Sequence, residues 1–396
     1  MSDAEIVLAF GTILVAGIGS QLLAAWLRIP GVLVLLAAGV VAGPVTGIVQ
    51  PDLLFGELLF PGVSLAVGLL LFDGGLQLDM RKIGEWSSVV ARLVTIGVLV
   101  TWIIGSITIS LVTDLDGSTA WLAGAVLVVS GPTVVIPILR RTNPVAPSGE
   151  ILEWEGILID PIGALLGVVM LDVAVSGTSL TRGLGAIAAT VSVGVGSGIA
   201  GAVLAVMALR SPRFPELLRA PVALAAALSA YTAANLLVAE SGLFATTVAG
   251  ILLANQQFTP VDDIAAFEEG VGVLALGSLF IVLGARMRLD GIDEQLIPGL
   301  VLLAVLILIA RPLAVAASSA RTALDTQSRR FMMAMAPRGI VAAATASVFA
   351  LELEERGIEG GQTLTSLTFV VIIGAGLVYG LGAGPVGKRL GVIKKP

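Results

Sequence analysis

The 396-residue chain contains no cysteine and no histidine. Disulfide scaffolds, thiolate metal sites and imidazole-based acid/base or zinc chemistry are therefore excluded. Charge is scarce too: Asp, Glu, Lys and Arg together make up 13% of the residues, and the net charge of −6 argues against nucleic acid as a partner. Aromatics, at 5%, are too scattered to mark a cofactor site, and no cofactor is expected. What the chain has instead is apolar length, with 57% of its residues hydrophobic. A soluble protein of this size cannot hide that much apolar surface, so the repeated long apolar runs predict an all-α polytopic membrane protein in lipid. The acidic start Met1-Ser2-Asp3-Ala4-Glu5 is unlike the basic start of a cleaved signal peptide, so the first run is expected to be retained.

Cutting at charged and Pro-rich breaks gives about thirteen helix-length segments. The first six run Glu5–Ala24, Pro30–Val49, Leu59–Leu78, Ser88–Val112, Thr119–Leu139 and Gly156–Ser176. The next four are Leu184–Leu209, Pro221–Val238, Leu243–Leu253 and Val271–Ala285, and the last three Leu296–Ala317, Phe331–Leu351 and Leu364–Val386. Loops after odd-numbered segments, with the tail at 388–396, hold 15 Lys and Arg. They include Arg28, Arg213, Lys394 and Lys395. Loops after even-numbered segments hold 4, namely Arg182, Arg286, Arg288 and Arg356. The positive-inside rule then puts the C-terminus in the cytoplasm and the N-terminus outside, in the plasma membrane. One loop on the cytoplasmic side, Gln256 to Glu269, has four acids and no base and contributes nothing to that assignment.

Thirteen segments also permit two inverted six-helix repeats joined by one linker, with substrate sites where broken helices meet at mid-membrane. A matching pair of interruptions supports this. Segment five contains Ser130-Gly131-Pro132-Thr133 and segment twelve Ala336-Pro337-Arg338-Gly339, each fifth within its half. Proline removes a backbone donor and glycine relaxes the helix, so both breaks free polar backbone deep in the membrane.

The most informative stretch is Glu153 to Gly163, which places Asp160 inside an apolar segment. An ionised Asp at the centre of such a helix costs roughly 2.5–3.5 kcal/mol on insertion scales. A carboxylate kept there must be neutralised by a proton or by a cation, and that competition is the expected function. Alkali cations prefer oxygen ligands, so Ser130 and Thr133 at the first break are natural contributors beside Asp160. The competing reading makes Asp160 the N-cap of a helix that begins at Pro161. Glu155 lies five residues earlier and points elsewhere. Arg338, inside segment twelve, needs an acid partner or a water-filled cavity, and pairing it with Glu155 would leave Asp160 free. Asp73, followed by Gly74 and Gly75, is a candidate second acidic ligand. Arg311-Pro312 is a further charge inside a segment, with no partner assigned. The run from Gly194 to Gly201 contains nucleotide-like glycine spacings, but with no preceding strand it reads as close helix packing.

On Phe72-Asp-Gly-Gly-Leu76, Ser130-Gly-Pro-Thr133, Glu155-Gly-Ile-Leu-Ile-Asp160-Pro and Ala336-Pro-Arg-Gly-Ile-Val341, the chain resembles the monovalent cation:proton antiporter family over nearly its whole length. The resemblance implies a homodimer, with scaffold helices in 1–80 and 220–285. A mobile core is implied in 88–176 and 296–387, with a linker helix in 182–210. It puts the ion-binding Asp at Asp160 and a structural acid–arginine pair at Glu155 and Arg338. Two positions depart from the family pattern. Ile159 stands where Asn or Asp is common, and Ser130-Gly131-Pro132 stands where Thr-Asp-Pro is common. With one titratable acid left there, an electroneutral one-for-one exchange of Na+ or K+ for H+ is expected. Some relatives carry a cytoplasmic nucleotide-binding regulatory domain, which this chain either lacks or has lost by truncation after Pro396. Three other functions fit less well. A sodium-coupled organic-anion symporter wants more polar residues near the breaks. A channel or sensor wants a filter or charged rings. An intramembrane protease needs a second aspartate, and no enzymatic activity is expected.

Overall fold

The computed structural model describes residues 1–27, 29–177, 180–210, 215–258, 260–287 and 291–393. Arg28, Arg213, Arg288, Lys394 and Lys395 from the charge count lie outside the described residues, as do the side chains of Thr133 and Arg182. Within the described residues the chain is helical, with no strand. That is what lipid demands of a spanning segment, because a helix satisfies its backbone donors and acceptors within itself.

In chain order the helices are α1 (Asp3–Leu27), α2 (Gly31–Val45), α3 (Pro51–Leu76) and α4 (Met80–Val112). Two short helices follow, α5 (Gly117–Val126) and α6 (Pro132–Thr142), and then α7 (Ser148–Ser176) and α8 (Leu180–Arg210). Next come α9 (Arg219–Leu237), α10 (Ser241–Asn255) and α11 (Asp262–Ala285). The chain closes with α12 (Ile292–Ser318), the short α13 (Thr326–Met333), α14 (Ile340–Glu355) and α15 (Gly361–Leu390). Nine helices among the described residues are long and apolar enough to cross a membrane, and α2 and α10 are shorter apolar helices.

Local chemistry sets several of the ends. Asp116 caps α5 by accepting from the Thr119 amide at 2.8 Å, and Asp325 caps α13 by accepting from Ser328 at 2.8 Å. The Ser328 hydrogen bonds hold the Asp325 carboxyl below the usual carboxylate range. α7 and α15 stop at glycines in the left-handed region, Gly177 and Gly391.

Two expected boundaries are corrected. α7 begins at Ser148, eight residues before the expected Gly156, because Ile151 and Leu152 are buried in the core and draw the preceding turns into the helix. Asp160 therefore lies near the middle of a continuous 29-residue helix, which rules out its reading as an N-cap. Likewise α11 starts at Asp262, so Glu268 and Glu269 sit on a helix rather than in a loop.

The helices pack in two groups. α1 and α2 pack on α11, α3 on α10 and α11, and α8 on α9 and α10. On the other side α7 packs on α5 and α6, α4 on α5 and α12, and α15 on α12 and α14. The glycine run in α8 does what close packing requires: a Cβ at Gly198 would stand 2.6 Å from the Ala245 carbonyl of α10.

Candidate functional site

The two interruptions are real breaks, and they meet. Residues 127–131 leave the helix between α5 and α6, and residues 334–339 do so between α13 and α14. Pro132 opens α6 at the position where its missing N–H costs nothing, and it forces the preceding Gly131 into extended backbone at φ −70°, ψ 160°. Gly339 is extended in the same way at φ −100°, ψ 176°, just before α14. The breaks touch at these glycines: a Cβ on Gly339 would fall 2.7 Å from the Gly131 amide nitrogen. Only a residue without a side chain fits there. Two half-helix N-termini, those of α6 and α14, therefore converge inside the protein, each carrying partial positive charge.

Asp160 reaches this crossing from α7. A Cβ on Gly131 would lie 2.6 Å from Asp160 Oδ2 and 2.9 Å from Oδ1, so the carboxylate occupies the space a side chain at 131 would need. Asp160 is fully buried, and neither of its oxygens has a hydrogen-bond partner among the described residues. The next residue, Pro161, removes the amide that would bond the Ile157 carbonyl and frees a backbone acceptor one turn away. The arrangement is a fully buried carboxyl group held beside two helix N-termini. It can accept a proton or coordinate a hard monovalent cation, and hydration of the carboxylate does not compete.

Ser130 is buried nearby. It lines a small cavity with Glu155, Arg311 and Pro337, and its carbonyl oxygen would be 3.4 Å from a Cβ on Gly156. The side chain of Thr133, the other expected ligand, lies outside the described residues. Asp73 is not at the crossing. It is half-buried on α3, accepts from Gln77 Nε2 at 3.1 Å, and lines a separate cavity of about 110 Å³ that reaches Pro132, Arg140 and Glu269.

The expected ion pair is corrected. Glu155 pairs with Arg311, not Arg338: the guanidinium grips the carboxylate in two places, Nη2 to Oε2 at 2.9 Å and Nη1 to Oε1. Arg311 Nε also donates to the Met332 carbonyl at the end of α13, at 2.9 Å. Arg338 Nη1 donates to the Val128 carbonyl just beyond α5, at 2.8 Å. Each arginine thus closes the C-terminal end of one interrupted helix, where unpaired carbonyls carry partial negative charge. The reason for the exchange of partners is position. Arg311 follows a π-turn at Leu306–Ala310 in α12, a helix that packs against α4 beside α7, whereas Arg338 lies within the second break itself. The signal for Arg311 was present in the sequence as an in-membrane charge, but a single acid could not choose between two arginines.

Glu268 was missed. It lies on α11, is fully buried, and has no hydrogen-bond partner for either oxygen among the described residues. Its spacing from the buried Ile264, four residues earlier on the same helix face, is the signal that could have found it. No group of three or more metal-ligating carboxylates occurs among the described residues.

Comparison with known proteins gives a consistent result. Residues 10–389 match the family profile described as sodium/hydrogen exchanger, transmembrane. The Na(+)/H(+) antiporter 1 of Methanocaldococcus jannaschii is 26% identical over 367 residues, covering 88% of this chain and 85% of that protein. The K(+)/H(+) antiporter NhaP2 of Shewanella sp. strain ANA-3 is 26% identical over 362 residues, 89% of this chain. The chain spans 61% of the length of that relative. Among solved structures, the sodium proton antiporter MjNhaP1 from Methanocaldococcus jannaschii at pH 8 superposes with a TM-score of 0.85 at 23% identity, covering 98% of this chain and 99% of that one. That likeness concerns the fold.

Proposed function

The chain belongs to the sodium/hydrogen exchanger family, and from that premise we propose that it exchanges a monovalent cation, Na+ or K+, for H+ across the membrane. The observation that carries the reading is Asp160: a fully buried carboxylate without a hydrogen-bond partner, set where two broken helices cross. In the proposed cycle Asp160 is neutral whenever it moves, loaded by a proton in one direction and by the cation in the other. A bare carboxylate crossing the apolar interior costs several kcal/mol, and this penalty couples the two fluxes. The carboxylate fills the place of a side chain at 131, and Ile159 adds no polar group. One acid therefore handles one charge, and the exchange is electroneutral. Ser130, Thr133 and the carbonyls freed at the breaks complete the cation's oxygen shell, and Asp73 lies on its path.

The same proposal takes the nine long helices, the two shorter ones and the two interrupted pairs α5–α6 and α13–α14 as thirteen crossings in two inverted repeats. α1–α3 and α9–α11 form the dimerising scaffold of a homodimer, α4–α7 and α12–α15 the moving core, and α8 the linker. The N-terminus is outside and the C-terminus cytoplasmic. Glu155, Arg311 and Arg338 hold the broken helices while the core moves.

The test is proton flux in proteoliposomes loaded with a pH dye. Addition of Na+ or K+ should move protons for the wild type and not for Asp160→Asn, without current under an imposed potential. Undiminished exchange by Asp160→Asn would remove the organising residue, and a potential-dependent current would remove electroneutrality. Proton movement that needs an organic anion would favour symport.

A further inference from the structure

Beside the Asp73 cavity, with which it shares Pro137 and Leu276, a cavity of about 840 Å³ opens between α1, α2 and α11 on one side and α6 and α15 on the other. That is at the upper end of the roughly 300–1,000 Å³ of small-ligand sites. Its deeper wall is apolar, including Leu35 and Phe280, and its mouth carries Arg141, Lys388 and Arg389. None of these three cations makes a hydrogen bond or ion pair among the described residues, and no carboxylate lines the cavity. Their places in the last turns of α6 and α15 suit a cation at a helix end. Helix ends alone do not explain why three of them border one apolar hollow. An apolar slot beneath a cluster of cations, at the end of a membrane bundle, matches an anionic amphiphile.

We propose that this cavity binds one anionic glycerophospholipid from the leaflet on the basic side of the bundle. The phosphate meets Arg141, Lys388 and Arg389, and an acyl chain fills the apolar wall. The walls come from both helix groups, so the bound lipid bridges them. The binding does not depend on the exchange reaction proposed above.

Delipidated protein in detergent is titrated with dioleoyl phosphatidylglycerol, dioleoyl phosphatidylcholine or glycerol phosphate, and adducts are counted by native mass spectrometry. One phosphatidylglycerol per chain should bind in preference to phosphatidylcholine. Each basic side chain is worth about fivefold near a membrane surface, so combining Arg141→Gln, Lys388→Gln and Arg389→Gln should weaken binding on the order of 100-fold. The exposed Arg141→Gln alone, about fivefold, serves if the triple variant fails to fold. Gly384 lines the cavity, and a Cβ there meets nothing within 4 Å. Gly384→Leu should therefore fill the slot and weaken lipid binding with all three charges in place. Gly382, also free of neighbours but not part of the cavity's lining, gives Gly382→Leu as a control that should bind normally. Equal binding of the two lipids, or equal behaviour of the two leucine variants, would overturn the proposal. So would competition by glycerol phosphate as strong as that of the lipid, which would make the ligand a soluble phosphate ester.

Discussion

Exchanging the partners of Glu155 gives the sharpest test of the structure. Arg311 and Glu155 are both buried, their side chains 8% and 4% exposed, and the pair is bidentate. Removing one member of such a pair strands the other charge without solvent and costs about 3–5 kcal/mol. Arg311→Met should fall in that range, with part of the loss from the freed Met332 carbonyl. Glu155→Gln should cost a comparable amount. The double variant should cost far less than the sum, because replacing both members of a buried pair is often close to neutral. Arg338→Met breaks one charged hydrogen bond to Val128, worth roughly 1.5–3 kcal/mol, and should couple to Glu155→Gln more weakly than Arg311→Met does. The assay is unfolding in detergent followed by tryptophan fluorescence, run as two double-mutant cycles. Coupling of Glu155 to Arg338 larger than its coupling to Arg311 would refute the geometry.

Two further outcomes follow from single residues. Gly131→Ala places a methyl group 2.6 Å from Asp160 Oδ2, so exchange should be abolished and stability should fall by about 1–3 kcal/mol. Gly382→Ala, with no neighbour within 4 Å, should be neutral or stabilising by about 0.5–1 kcal/mol, and thermal unfolding with vesicle flux checks both. Asp325→Ala removes the cap of α13 and should cost about 1 kcal/mol at neutral pH. The folded carboxyl titrates below its unfolded value, so the stabilisation is complete above the usual carboxylate range. It disappears as pH falls through the folded value, and wild type and variant should then unfold alike in acid.

Much of the architecture was legible before any coordinates. The helix-length runs fall on the helices found because spanning backbone must satisfy itself locally, which ties secondary structure to hydropathy. The breaks at Ser130-Gly131-Pro132 and Ala336-Pro337 were equally legible, since proline acts on its own turn. Boundaries were harder. The polar stretch Ser148–Glu155 looks like a loop by composition, and burial of Ile151 and Leu152 made it helix. Glu268 failed for the same reason: on an acidic segment nothing local reveals that one carboxylate faces inward.

What the sequence by itself determined is the membrane class, the run of helices, the two interruptions, and Asp160 as the charge that needs a reason. Each of these follows from solvation cost or from the covalent limits of proline and glycine, which act within a few residues. Only the tertiary structure decided that Gly131 and Gly339 are in contact, that the Asp160 carboxylate occupies the hollow between the breaks, and that Glu155 belongs to Arg311. An arginine can reach several partners on its long side chain. Which carboxylate lies within reach is set by how α7 and α12 lie against each other, and that relation is written in no single segment.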